Sequence, residues 1–368
     1  MKKIRLGDIA TLITKGTTPT TIGFSFVDTG VNFVKIESIS ENGEFLSDKF
    51  AHITDECDNK LKRSQLEEND ILFSIAGAIG RTAIVPRSIL PANTNQALAI
   101  IRIPQNAFNL RFVLYALQSQ AVEEQSEKQK QGVAQLNLSL KNIADILIPL
   151  VSSEKQDEIV RNLAAVDAAI AVRKEQIRLI DQLVKSRFIE LFASVEAEDT
   201  LQNLCAFIDY RGKTPEKVES GLPFITAKNI RMHRMSFDTL EYISKETYDR
   251  VMTRGFPQIG DVVFTTEAPL GNVCRIPFIE TEFYIGQRII TMQTERLEPA
   301  YLEYALSSDE FKRKIAEKSS GSTVTGIRSK LLEQLTIPVP PRALQERFAA
   351  FVEQTDKSKL CGKMEVAA

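Results

Sequence analysis

The chain has 368 residues, 43% hydrophobic and 26% charged, with a net charge of −2, the proportions of an ordinary globular protein long enough for two or three domains. No apolar run approaches membrane-spanning length, and the opening "MKKIRLGDIATLI" is interrupted by Arg5 and Asp8, so it lacks the apolar stretch of a signal peptide; a cytoplasmic protein without membrane association is expected. Cys57, Cys205, Cys274 and Cys361 lie far apart and His52 and His233 are the only histidines, which excludes a spaced zinc site and argues against a disulfide framework.

Charge is balanced locally as well as globally. Residues 1–150 carry 16 basic and 16 acidic side chains, residues 151–199 carry 7 and 10, and residues 200–340 carry 18 and 18. A surface for a polyanion must therefore be built from a few loops.

In chain order, "KGTTP" (15–19) reads as a loop after a short strand, and it is echoed by "RGKTP" (211–215). The echo has the Gly-Lys-Thr of a phosphate-binding loop, but Phe207 stands where such a loop needs its first glycine. Pro215 then follows, and proline is a poor residue for opening a helix onto phosphate. "DILFSIA" (70–76) is β-rich and bounded by turn residues. An amphipathic helix is predicted over 110–128, followed by an Ile-Pro strand at 147–149. From Ser153 to about Ser194 there is no Gly or Pro, and Ile159, Leu163, Val166, Ile170, Ile177, Ile180, Val184 and Leu191 recur at steps of four and three, with Arg173 the one break. That is a coiled-coil seam on a rod of roughly 60 Å.

The second half then repeats the first at an offset near 191, later 189. "NFVKIESI" (32–39) lies on "PFITAKNI" (223–230), and "NDILFSIAGAIGRTAIVP" (69–86) lies on "GDVVFTTEAPLGNVCRIP" (260–277). Gln96 falls on Gln287, helix 110–128 on helix 299–318, Gly132 on Gly321, Lys141 on Lys330 and Gln156 on Gln345. A second long helix begins with Leu344, Phe348 and Phe351 but is expected to run only about 20 residues before Gly362. With so short an antiparallel partner, part of the run Ile170, Ile177, Ile180 and Val184 is expected to stay uncovered until another chain packs on it. The organisation predicted is an α+β fold, with two repeated globular units of mixed strands and helices (1–151 and 199–340) separated by long antiparallel, coiled-coil-like helices (152–198 and 341–368) in pseudo-twofold arrangement.

Catalytic motifs are absent: there is no Asn-Pro-Pro-aromatic, no complete phosphate loop and no metal-spaced cluster. The chain is expected to bind rather than catalyse. Its duplicated segments, above all "YRGKTP" (210–215), "LPFITAKNI" (222–230), "GDVVFTTEAPLGNV" (260–273), "GQRII" (286–290), "GSTVTGI" (321–327) and "LTIPVPPRALQERFAAFV" (335–352), resemble the DNA-specificity subunits of type I restriction-modification systems. The resemblance implies two target-recognition domains, each reading one half of a split site in double-stranded DNA. It also implies helices that space the readers and dock two methyltransferase subunits, with restriction/translocase subunits joining the complex. S-adenosylmethionine, ATP and Mg would belong to those partner chains, and this chain would hold no cofactor.

Within that resemblance, the repeated loops supply the candidate DNA contacts. Lys15, Thr17, Thr18, Ser74, Arg81, Gln96, Gln135 and Lys141 are the candidates in the first copy. Arg211, Lys213, Thr214, Lys228, Asn229, Arg231, Arg234, Thr266, Glu267, Arg288, Ser322, Thr323, Arg328 and Lys330 are those in the second. The anchors Asp70/Asp261, Phe73/Phe264, Gly80/Gly271 and Pro86/Pro277 persist while "SIAGAI" and "TTEAPL" between them differ, as do "QGVAQLN" (131–137) and "SGSTVTG" (320–326). Divergent polar loops in a constant frame suit base reading, and they predict unlike half-sites. The alternative is a tandem scaffold that binds proteins through its helices and never reads DNA.

Overall fold

Alternation within a four-residue strand organises each half of the molecule. In the computed structural model, which describes residues 2–104, 108–129, 137–210, 215–319 and 326–367, Ile71–Ser74 is a strand with all four residues buried. Its successive side chains point to opposite faces. Ile71 and Phe73 pack against the helical residues Phe112, Val113 and Leu117, whereas Leu72 packs with Val34, Val85 and Ile100. The sheet is therefore covered on both sides.

The chain divides into two compact units, Met1–Ala169 and Ile170–Ala368. In the first, the four-stranded sheet runs in the order Leu12–Lys15, Leu98–Arg102, Ile71–Ser74, Thr82–Ile84, with every neighbour antiparallel. A three-stranded sheet in the order Ala51–Ile53, Val31–Val34, Ala92–Thr94 lies beside it, its last two strands parallel. Lys3–Arg5 pairs with Leu147–Pro149 and ties the start of the unit to its end.

The second unit repeats these three sheets and adds a short antiparallel pair, Ile230–Arg231 with Arg234–Met235. Ala206–Asp209, Ile289–Gln293, Val262–Thr265 and Val273–Arg275 form its four-stranded sheet; Glu241–Ile243, Leu222–Ile225 and Tyr284–Ile285 form the three-stranded one; and Glu198–Thr200 pairs with Thr336–Pro338. Even the buried glutamines at the helix starts match: Gln156 accepts from the Asn109 backbone and Gln345 from that of Glu298, both at 2.9 Å. The duplication read from sequence is thus a duplication of hydrogen bonds.

Three expectations need correction. The helix predicted over 110–128 is two helices, Leu110–Leu117 and Gln120–Gln129, and its counterpart is likewise divided into Pro299–Ser307 and Asp309–Lys318. In the second copy Ser308 is the reason, because its hydroxyl accepts from the Phe311 backbone at 3.1 Å and starts a new helix. The C-terminal helix spans Arg342–Ala367, 26 residues, and runs through Gly362. One interior glycine costs only about 1 kcal/mol relative to alanine, too little to end a helix.

The third correction concerns the seam. The central helix spans Ser153–Phe192, and in the second unit its Val184 is fully buried while Ile170, Ile177 and Ile180 are half-buried, so this run is not the exposed strip. Phe348, also fully buried, meets Phe188 and Phe192 at ring-centroid distances of 5.5 Å, and Lys359 pairs with Asp181 at 2.7 Å. Leu191, Leu344 and Phe351 pack against the same core. Arg173, the break in the pattern, donates from Nη2 to the carbonyl oxygens of Ser358 and Lys359 at 2.7 and 3.3 Å. In the first unit Ile159 packs against the core, and Leu163 and Val166 are 38% and 53% exposed.

Candidate nucleic-acid interface

Strand register decides which loops meet. In the first unit the pairings Lys15↔Ala99, Ser74↔Leu98 and Val34↔Thr94 bring the ends of four strands, at Lys15, Val34, Ser74 and Thr94, and the start of the strand at Leu98 to one end of the sheets. Gly16 donates its backbone N–H to Asn95 at 3.2 Å, Ile75 to Ala97 at 2.9 Å and Leu138 to Ile75 at 2.9 Å. An isolated bridge pairs Ala76 with Asn137. Asn137, the described end of the second divergent stretch, is therefore a neighbour of the first, and the "KGTTP" loop lies at the same edge.

The glycine of that loop has a steric cause. A β-carbon on Gly16 would fall 1.8 Å from the Thr94 carbonyl oxygen, so only glycine allows this approach. Thr18 then donates from Oγ1 to Oε1 of the exposed Gln96 at 2.5 Å. Lys15 and Thr17 flank the contact, both half-buried.

The second unit closes its edge in the same way. Thr266 donates to the Arg288 carbonyl oxygen from its backbone at 2.9 Å and from Oγ1 at 3.2 Å. Ile327 donates to Thr266 at 3.0 Å, and Glu267 bridges Gly326 as Ala76 bridges Asn137. Here the edge is charged, with Nε of Arg288 2.8 Å from Oε1 of Glu267, both side chains about half exposed. A groove of about 360 Å³ beside them is lined by Lys217, Thr226, Lys228, Glu241, Gln287 and Arg288.

Not every sequence-predicted residue faces outward. The Ser74 hydroxyl is buried and donates to the Ala76 carbonyl at 2.8 Å, and Thr266 is buried. Arg81 donates from Nη1 to the carbonyl oxygens of Ile36 and Ile39 at 3.3 and 2.8 Å, holding one loop against another. Buried Asn229 accepts from the Thr226 backbone and donates to the carbonyls of Ser236 and Thr239 at 3.0 and 3.1 Å. These four build the frame. Lys228 and Gln96 are exposed at the loop edges, Lys141 lies exposed on the helix Leu140–Ala144, and Arg328 and Lys330 are exposed around the helix Ser329–Glu333. Gln135, Arg211, Lys213, Thr214, Ser322 and Thr323 lie outside the described residues.

Sequence reading missed Lys217 and Gln287 as groove residues. Gln287 carried a signal, since it is the repeat partner of Gln96, but Lys217 reaches the groove only through a 2.8 Å pair with Glu241, which no local pattern announces. Cys57, Cys205 and Cys274 are buried, and burial raises all three thiols, that of Cys205 to about 12. Among the described residues no cluster could hold a metal ion, and no helix is long and apolar enough to cross a membrane.

The joints between sheet and spacer helix differ between the copies. In the second unit buried Glu303 accepts from Nε of Arg275 at 2.6 Å and lies 2.9 Å from Nδ1 of His233. Arg275 also reaches Asp356 on the C-terminal helix at 3.1 Å, and His233 stacks on Tyr304 at 4.2 Å. The equivalent positions of the first unit are Asn42, Ile84, Leu114, Tyr115 and Asp167, and they line a cavity of about 830 Å³. There Tyr115 donates to Asp167 at 2.6 Å.

Comparison with known proteins gives one family. The description "Type I restriction modification DNA specificity domain" matches residues 1–182 and again residues 200–362. The specificity subunit of the type I restriction enzyme MjaVIII from Methanocaldococcus jannaschii is 21% identical over 96% of this chain and 85% of its own length. That of EcoBI from Escherichia coli is 35% identical over 36% of this chain and 28% of its own length. Among solved structures, a chain bearing on complex assembly and conformational transition of the type I R-M system aligns over 100% of this chain and 92% of its own, with a TM-score of 0.55 and 19% identity. The type I S subunit from M. genitalium aligns over the same shares with a TM-score of 0.52 and 15% identity.

Proposed function

Because this chain belongs to the DNA-specificity family of type I restriction-modification systems, we propose that each repeat reads one half of an asymmetric, bipartite site in double-stranded DNA while the spacer helices dock methyltransferase subunits. The observation that carries the reading is that the last residue of the second divergent stretch is bridged to the first in both copies, Asn137 to Ala76 and Gly326 to Glu267. Scaffold hydrogen bonds fix where these bridges sit. Their side chains differ, so two readers of common shape address different bases.

Docking rests on a second face of the central helix. In the second unit Val172, Leu179 and Leu183 are 59%, 49% and 54% exposed, spaced by seven and four residues and so aligned on one face. Val184, on the covered face, is fully buried. Methyl donor, ATP and Mg are assigned to the methyltransferase and restriction/translocase partners, and this chain acts in the cytoplasm as a non-catalytic subunit.

The test is to reconstitute the chain with its methyltransferase partner and sequence the methylated adenines. Two separated half-sites are expected, and replacing residues 1–151 by another recognition domain should change one and leave the other. If both change together, or if the isolated chain binds duplex DNA without salt dependence, the reading is wrong.

A further inference from the structure

The proposal that follows rests on the DNA-reading function above and names a base. Arg288 and Glu267 form an ion pair whose two backbones are both locked. The Arg288 carbonyl accepts twice from Thr266, and Glu267 is bridged to Gly326. Gly326 belongs to this lock, since a β-carbon there would crowd the Thr266 carbonyl oxygen at 3.2 Å and Glu267 Cβ at 3.3 Å. Two residues before Arg288, Gly286 passes so close to Phe224 that a β-carbon would fall 2.9 Å from its ring. The arginine therefore leaves a loop with little freedom to move.

Its side chain is held as well. Nε lies 2.8 Å from Glu267, while the two side chains remain 52% and 41% exposed. An ion pair this open adds little to stability, so the fold does not account for it. What it does is fix the plane of a guanidinium at the mouth of a groove, removing in advance the rotamer freedom that binding would otherwise cost. A planar fork held at a loop edge matches the O6 and N7 acceptors of guanine in the major groove, and a lysine cannot reproduce it. The first unit has no such device, because the equivalent positions are Ala76 and Ala97.

We infer that Arg288 is a specificity-determining residue that reads a guanine in the half-site of the second repeat, with Glu267 as its positioning partner. The reader is thus an ion pair, with the base contact made by the arginine alone.

The experiment uses the complex with its methyltransferase partner and compares methylated motifs for wild type, Arg288→Ala, Arg288→Lys and Glu267→Gln. The expected wild-type motif has an invariant guanine in the half-site that stays put when residues 1–151 are exchanged. Arg288→Ala and Arg288→Lys should both lower discrimination at that one position by roughly five- to a hundred-fold, the worth of one bidentate base contact. Glu267→Gln should lower it less, while binding to random duplex rises because a carboxylate has left the surface. Since Arg288→Lys keeps the charge, it decides the matter if Arg288→Ala fails to fold. A motif unchanged in Arg288→Lys overturns the inference while leaving DNA reading intact. A wild-type complex that methylates no defined sequence overturns the DNA-reading function itself and this inference with it.

Discussion

The two repeats share a topology and differ at the joint where the sheet meets the spacer helix. The second unit fills its joint with charge: Glu303 is held by Arg275, Arg275 also holds Asp356, and His233 stacks on Tyr304. The first unit leaves a cavity of about 830 Å³ at the equivalent place, where Tyr115 donates to Asp167 at 2.6 Å and Asn109 at its edge donates to Asp157 at 2.7 Å. One backbone plan thus tolerates a filled and an empty joint, because the strands and helices on either side carry the register. What the filling changes is which side chains join each repeat to its helix: charged groups in the second unit, a tyrosine and an asparagine in the first.

The largest effect should come from breaking the filled joint. Glu303→Ala leaves His233 without its partner and Arg275 with only the half-exposed Asp356, and truncating one member of a buried charge network is strongly destabilising. Because Arg275 is itself 32% exposed, the expected cost is about 2–3 kcal/mol, below the roughly 3–5 kcal/mol of a fully buried pair. Tyr115→Phe in the first unit removes one hydrogen bond and should cost roughly 1 kcal/mol or less. Hydrogen exchange resolves each repeat separately: amides of 200–340 should lose protection in the first variant while 1–150 stay unchanged. Equal losses in both variants would mean that the joint charges do not matter.

A smaller effect tests a second contrast. Asp70 accepts from Nε and Nη2 of Arg102 at 2.7 and 2.8 Å, whereas its counterpart Asp261 faces Gln293, which donates from Nε2 at 2.7 Å. Burial raises the Asp261 carboxyl above its ordinary value, against the hydrogen bonds from Gln258 and Gln293. A raised carboxyl favours the fold most below the ordinary carboxylate range, and that contribution is lost as pH rises through the higher folded-state value. Gln293→Arg copies the first unit into the second and should offset the raise, since a guanidinium favours the charged carboxylate and removes the penalty that grows as pH rises. Urea melts from pH 4 to pH 7 should show the variant gaining about 1 kcal/mol on wild type toward neutrality. Parallel curves would show that the glutamine already satisfies the half-buried acid.

These contrasts mark where sequence reading reaches its limit. The duplication, the strand–loop order and the long helix were legible because each is a local pattern or a match between patterns, as in Asp70 and Asp261 or Gln156 and Gln345. The joints were not, because Arg275 meets Asp356 across 81 residues and nothing near either predicts the other. The candidate site was half legible: divergence singled out stretches that the fold bridges at Ala76 and Asn137 and at Glu267 and Gly326, but Ser74, Arg81 and Asn229 have the polarity of contact residues and serve the frame. The exposed stripe of Val172, Leu179 and Leu183 went unread because the stronger seam through Val184 masks a second apolar face on the same helix.

The smallest effect separates two candidate contact residues, one at each edge, by the kind of contact each suits. Lys228 is exposed at the groove of the second unit, where an ammonium suits a phosphate. Gln96, exposed at the edge of the first and held by Thr18 at 2.5 Å, carries no charge and offers an amide that suits a base edge, adenine above all. Counterion release then distinguishes them, because each neutralised phosphate adds about 0.9 to the slope of log affinity against log salt. Lys228→Ala should flatten the slope by about one while weakening specific and random duplexes alike. Gln96→Ala should leave the slope as it is and weaken only duplexes carrying the first half-site. Titrations of the complex at several salt concentrations read both numbers at once. If Gln96→Ala flattened the slope, or Lys228→Ala weakened only one sequence, the division of the edges into a charged and a neutral reader would fail.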